Sequence, residues 1–177
     1  SWRFTPSRLP PMRLAALLVL IAAPFLVSSH QDPVAPATPP KANPLAVFAP
    51  LIGPVWVGDL PEFKLTDTQR YEWVYGDKFV RNTHQVHTAD GKLVYEGETI
   101  YAWDARAERI TWLYWNTTGG YVAGTVTVRD DGVLVVEGDN HGPKEQLDQV
   151  KAELRIGTDE WSMRPGKAKD GKWSFEE

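Results

Sequence analysis

The chain has 177 residues, no cysteine and a formal net charge of −4 at pH 7. Without cysteine no disulfide can tie the chain together, so its stability must come from a hydrophobic core. Lys and Arg form no basic stripe, which argues against nucleic acid and anionic membrane surfaces as partners.

The first part of the chain, residues 1–29, predicts a signal peptide preceded by upstream residues. An apolar run from Leu14 to Val27 is too short for a membrane-spanning helix, which needs roughly 20 residues. Small side chains at its end predict cleavage after Ser29. Met12 would be the initiator, and residues 1–11 an upstream translation artefact. We therefore expect a periplasmic or secreted protein with no stable membrane insertion after cleavage; an uncleaved membrane anchor is the alternative.

Two further regions follow the predicted signal. Residues 30–44 (HQDPVAPATPPKANP) are rich in Pro and Ala and predict an extended linker. Residues 45–177 are numerous enough for a single hydrophobic core and predict one domain.

The predicted domain opens with a short helix at 45–52 and a first strand at 53–58, where Trp56 lies between glycines. Alternating patterns and Gly- or Asp-containing turns then predict strands at 68–75, 78–87, 92–103, 110–116, 120–129, 133–139, 146–156, 160–164 and 172–176. About ten strands with tight turns and almost no helix predict an all-β, antiparallel barrel of eight to ten strands.

Two-residue turns at 76–77 and 90–91 set a register for the central strands. This register gathers aromatic and polar side chains on one face. The predicted ligand-binding residues on this face are Tyr71, Trp73, Asn82, His84, Tyr101, Trp112, Tyr114, Asn116 and Tyr121. Asn82, His84 and Asn116 are expected to orient the ligand.

The opposite face carries the charged residues Arg70, Glu72, Arg81, Glu96 and Glu98, as well as valines that include Val122 and Val126. We expect the aromatic face to be interior, because burying five charges costs several kcal/mol each unless they pair. Two alternatives stay open: an interior built around the charged cluster, and an aromatic lumen that side chains fill completely.

His84 is the only histidine predicted on the aromatic face. It is interpreted as a hydrogen-bonded interior residue, with a haem or metal ligand and a general base as alternatives. The cofactor is unknown from sequence, and no Cys, His or carboxylate spacing is typical of a zinc or calcium site. No nucleophile motif and no phosphate-binding loop is present either.

The segments FAPLIGPVWVGDL, TDTQRYEWVYGDKFVRNTH, YEGETIYAWD and TTGGYVAGTVTV resemble a bacterial family of uncharacterised lipocalin-like, calycin-type barrels. The likeness covers roughly residues 45–140. It implies a small antiparallel barrel with an internal cavity, in which Trp56 closes the base and a late arginine, Arg155 or Arg164, packs over it. It also makes haem binding through one histidine, His84, conceivable, but it implies no known reaction.

These features together predict an exported barrel that binds a small apolar or aromatic molecule, as a carrier, scavenger or sensor. Whether the protein is an enzyme stays open: an isomerase, cyclase or hydratase using His84 is one alternative. The other is an interaction module with a filled core, whose outer valine-rich strands pair with a partner or with a second copy in a homodimer.

Overall fold

The computed structural model describes residues 1–7, 42–142, 148–170 and 172–175. In this part of the chain there are eleven strands and one 3₁₀ helix: β1 (Trp2–Pro6), the 3₁₀ helix (Ala46–Leu51), β2 (Val55–Leu60), β3 (Leu65–Val74), β4 (Phe79–Thr88), β5 (Leu93–Asp104), β6 (Arg109–Asn116), β7 (Tyr121–Val128), β8 (Leu134–Asn140), β9 (Gln149–Ile156), β10 (Trp161–Lys169) and β11 (Lys172–Phe175).

Each strand pairs antiparallel with the next, and β1 also pairs with β10. This last pairing closes a ten-stranded barrel, with β11 added at the end of β10. The predicted all-β, antiparallel barrel is thus confirmed, and the predicted short helix at 45–52 is a 3₁₀ helix.

The strand β1 comes from the N-terminal segment that the sequence assigned to residues upstream of the signal. Its Phe4 is fully buried and stacks on Trp161 with ring centroids 4.2 Å apart. Gly58 allows this approach, because a Cβ there would lie 2.6 Å from the Phe4 ring. The folded unit therefore comprises residues 1–7 together with 43–177.

The predicted signal peptide and most of the predicted linker lie outside the described residues. Among the residues that are described, no helix has the length and hydropathy needed to cross a membrane.

The predicted register of the central strands is confirmed. Tyr71 lies opposite Asn82, His84 opposite Gly97, and Thr99 opposite Tyr114. Side chains alternate across a strand, and the burial of Tyr71 and Tyr101 shows that the aromatic face is interior. The Glu72–Arg81 pair, by contrast, is exposed on the outer face at 2.5 Å, so the alternative of a charged interior is wrong for this cluster.

The parity of β7 differs from the prediction. The sequence predicts Tyr121 on the interior face and Val122 and Val126 on the outer face. In the structure Tyr121 pairs with Trp115, and Tyr114 pairs with Val122. The connection between β6 and β7 is one residue longer than a two-residue turn at 118–119 implies, and this reverses every side chain of β7.

One end of the barrel is closed by the 3₁₀ helix. Leu45, Phe48 and Leu51 are buried there, and Phe48 packs on Tyr101 with ring centroids 4.4 Å apart. Trp56 is fully buried beside them and donates a hydrogen bond from Nε1 to the Leu51 carbonyl at 2.9 Å.

The two late arginines lie on the outer side of the barrel. Arg164 bonds the buried Glu153 carboxylate, which also accepts from Arg129 at 2.6 Å. Arg155 is mostly exposed and lies 3.8 Å from Asp131. No described contact therefore joins either arginine, Arg155 or Arg164, to Trp56.

Candidate functional site

The barrel lumen contains a cavity of about 590 Å³ that is partly open to solvent. Its wall is largely apolar and includes Leu65, Val86, Trp112, Val136 and Leu154. A volume of this size falls in the range of small-molecule pockets. The lumen is therefore not filled by side chains, which was one of the alternatives left open by the sequence.

The predicted ligand-binding residues divide into two groups. Those that line the cavity are Tyr71, Asn82, His84, Tyr101, Trp112 and Tyr114. Trp73 packs against the core instead, and Asn116 accepts hydrogen bonds from Thr118 in the following turn. Tyr121 is 45% exposed on the outer face, where it stacks on His141.

A chain of hydrogen bonds runs along the cavity wall through His84. Its Nδ1 lies 3.3 Å from Asp67 Oδ1, and its Nε2 lies 3.1 Å from the Tyr114 hydroxyl. Because a carboxylate only accepts, Nδ1–H of His84 donates to Asp67, and Nε2 shares a hydrogen bond with the Tyr114 hydroxyl. The Tyr114 and Tyr95 hydroxyls are 2.5 Å apart, so the chain ends at Tyr95.

A second group of polar side chains supports Asp67 from the other side. Gln69 Nε2 donates to Asp67 Oδ2 at 2.8 Å, and Gln69 Oε1 accepts from Tyr71 and Asn82 at 3.1 and 3.2 Å. Asp67, Gln69 and Asn82 are all buried. Their mutual hydrogen bonds offset the cost of placing polar groups in an apolar lumen.

The tyrosines of the cavity stay protonated well beyond neutral pH. Burial raises the pKa of Tyr71 and of Tyr101 far above the ordinary value. Burial, followed by the hydrogen bond with Tyr95, likewise raises the pKa of Tyr114. Neutral tyrosines keep their hydroxyl hydrogens, so each remains a hydrogen-bond donor.

Gly97 provides the space in which His84 and Tyr114 meet. A Cβ at this position would lie 2.6 Å from the Tyr114 hydroxyl and 2.8 Å from His84 Nε2. Gly97 on β5 therefore allows the hydrogen bond between His84 on β4 and Tyr114 on β6 to pass over β5.

We expect Gly97→Ala to displace one of these two rings and break their hydrogen bond. The free energy of unfolding should fall by about 1–3 kcal/mol, as expected for overpacking with loss of a buried hydrogen bond. Urea unfolding and the imidazole ¹⁵N shifts of His84 measure both effects. Tyr114→Phe, which removes the bond without adding bulk, is the matched control. Unchanged ¹⁵N shifts in Gly97→Ala would contradict the role of this glycine.

The geometry weighs against the alternative of haem binding at His84, because both ring nitrogens of His84 already have hydrogen-bond partners. Iron at Nε2 would have to displace Tyr114. Among the residues described, no group of three or more His, Cys, Asp or Glu side chains is placed to hold a metal ion.

Three residues of this site were not predicted from the sequence: Asp67, Gln69 and Tyr95. The third strand begins at Leu65, three residues before its predicted start at 68. The alternation of Leu65, Asp67, Gln69 and Tyr71 was the signal for the longer strand. The predicted register placed Thr99 opposite Asn82 on the aromatic face, and the structure confirms this position.

Comparisons with protein-family models, with curated proteins and with solved structures found no match to this chain.

Proposed function

We propose that this protein is a barrel that binds a small apolar or aromatic molecule in its lumen, as a carrier, scavenger or sensor. The observation that carries the proposal is the cavity of about 590 Å³, with an apolar wall and a few buried polar groups. Ligand sites are typically mostly apolar with a small number of placed polar groups. The lipocalin-like resemblance of the sequence supports the same function.

Apolar side chains lie where the cavity meets solvent. Trp2 and Val94 line the cavity and are partly exposed, and Leu93 beside Val94 is exposed as well. Side chains of this kind at a cavity mouth lower the cost of transferring an apolar molecule from water.

A melting-temperature screen against aromatic metabolites, fatty acids and haem tests the proposal. A ligand at 100 times its dissociation constant stabilises the folded chain by about 2.7 kcal/mol. For a domain of this size the melting temperature should rise by roughly 8 °C. The control is Ala152→Trp, because Ala152 lines the cavity and the indole would occupy it. Absence of a rise from every class, or an equal rise in the control variant, would contradict the proposal.

The second candidate function is a small barrel enzyme of the isomerase, cyclase or hydratase type. The observation in its favour is the continuous chain from Asp67 through His84 and Tyr114 to Tyr95. Such a chain can move a proton between the imidazole and a ligand near Tyr95. An NMR titration tests this candidate: a general base requires His84 to titrate near neutral pH, and an imidazole that does not titrate between about pH 5 and 8 would remove it.

The interaction module receives less support. The valines on which it depended, Val122 and Val126, are interior, and the lumen is open. A homodimer through the outer face stays a proposal, with Leu113, Trp115 and Tyr121 as the exposed residues there. Sedimentation at increasing protein concentration tests it.

A further inference from the structure

We propose that the ligand is an uncharged molecule that places a hydroxyl or carbonyl oxygen against the hydroxyls of Thr99 and Tyr101. This inference rests on the proposed function, namely that the lumen takes up a small molecule. It specifies the chemical class of that molecule and the point at which its polar group binds.

The first observation is that two hydroxyl-bearing side chains of the cavity have no hydrogen-bond partner within the described part of the chain. Thr99 and Tyr101 are each 6% exposed and both line the cavity. Their hydroxyl oxygens are not among the fully buried unpaired atoms of the described residues, so they reach the open lumen. The two residues are neighbours on one face of β5, so both side chains face this lumen.

A ligand that filled the lumen with apolar groups alone would bury these two hydroxyls without a partner, which costs free energy. A ligand oxygen at this point accepts a hydrogen bond from either hydroxyl and removes that cost. A ligand hydroxyl can also donate to Thr99 or Tyr101, since both oxygens are acceptors.

Of the other polar groups of the cavity, Trp161 Nε1 is buried without a partner and offers one further donor. The groups around Asp67 are already engaged with one another. The two oxygens of Asp67 bond His84 and Gln69, and both nitrogens of His84 are occupied, the second by Tyr114. A ligand that bonded to these groups would have to break existing hydrogen bonds, which favours the Thr99–Tyr101 pair over them as the anchor.

The second observation concerns charge. Of the described residues that line the cavity, only His84 and Lys151 can be cationic. His84 faces Asp67, and Lys151 Nζ bonds Glu137 Oε2 at 2.8 Å. An anionic ligand therefore finds no free cation, and a cationic ligand finds the Asp67 carboxylate already bonded. Because burying an uncompensated charge is strongly unfavourable, uncharged ligands are favoured.

A series of four naphthalenes that differ only in the group at carbon 1 tests this inference: 1-naphthalenemethanol, 1-methylnaphthalene, 1-naphthoate and 1-naphthylmethylammonium. Each is titrated as a competitor of N-phenyl-1-naphthylamine, an uncharged dye that fluoresces in apolar sites. We expect the alcohol to bind about three- to tenfold more tightly than the methyl compound, the worth of one net hydrogen bond. Both ions should bind at least tenfold more weakly than the alcohol.

Two variants locate the anchor. Tyr101→Phe and Thr99→Val each remove one hydroxyl with little change of shape, and together they should abolish the advantage of the alcohol over the methyl compound. Tyr75→Phe and Thr127→Val make the same changes at exposed positions and should preserve it, since Tyr75 is 79% exposed in a turn.

The outcomes separate the inference from the function on which it rests. If the dye does not bind, the proposed function fails. If the dye binds but either ion competes as well as the alcohol, or the double variant keeps the preference, only the inference is overturned.

Discussion

Phe4→Ala should lower the free energy of unfolding by about 3–5 kcal/mol, the range measured for truncating a buried phenylalanine. Phe4 is fully buried, stacks on Trp161 and occupies the space left by Gly58. It is also the central residue of β1, the strand that closes the barrel. Its loss therefore leaves a cavity at the seam between β2 and β10.

Phe63→Ala is the matched control, because Phe63 is 64% exposed in a loop and its truncation should cost less than about 0.5 kcal/mol. Urea unfolding of both variants gives the comparison. A chain that starts at His30, after the predicted cleavage site, extends the experiment, since it lacks β1 and leaves β2 and β10 as unpaired edges. If this shorter chain and Phe4→Ala were both as stable as the full chain, β1 would not be part of the native barrel.

Trp56→Ala should have an effect of similar size, about 3–5 kcal/mol. The indole is fully buried at the closed end, and its Nε1 holds the Leu51 carbonyl at the end of the 3₁₀ helix. Without it, the helix loses both its packing surface and its hydrogen bond to the barrel.

Trp56→Phe separates these two contributions. It keeps most of the apolar contact but leaves the Leu51 carbonyl without a donor, at a cost of about 1–3 kcal/mol. Trp115→Ala serves as the control, because Trp115 is 39% exposed on the outer face. Equal losses in Trp56→Ala and Trp115→Ala would show that Trp56 does not hold the barrel base.

Much of the fold was predictable because turn chemistry and period-two alternation act locally. The turns at 76–77 and 90–91 placed Tyr71 opposite Asn82 and His84 opposite Gly97, as the structure confirms. Where a turn was one residue longer than predicted, the parity was lost, and Tyr121 went to the wrong face. A register error of this kind affects every later residue of the strand.

The strand that closes the barrel, β1, was not predicted from the sequence. Its five residues, Trp2–Pro6, precede the long apolar run, and they become a strand only through pairing with β2 and β10. Such pairing joins residues more than 150 positions apart, which no local pattern reports. Tyr114 was predicted on the same face as His84. Its hydrogen bond to His84, and the bonds that Asp67 and Tyr95 add, depend on side-chain contacts between strands, which no local pattern reports.

The measurement that tests the central claim most directly is native mass spectrometry of the full chain with N-phenyl-1-naphthylamine. The claim is that the lumen enclosed by Tyr71, Tyr101, Trp112 and Tyr114 holds one small apolar molecule. We expect one dye molecule retained per wild-type chain and none in Ala152→Trp, whose indole occupies the lumen. A wild-type chain that retains no dye, or a variant that retains as much as wild type, would contradict the claim.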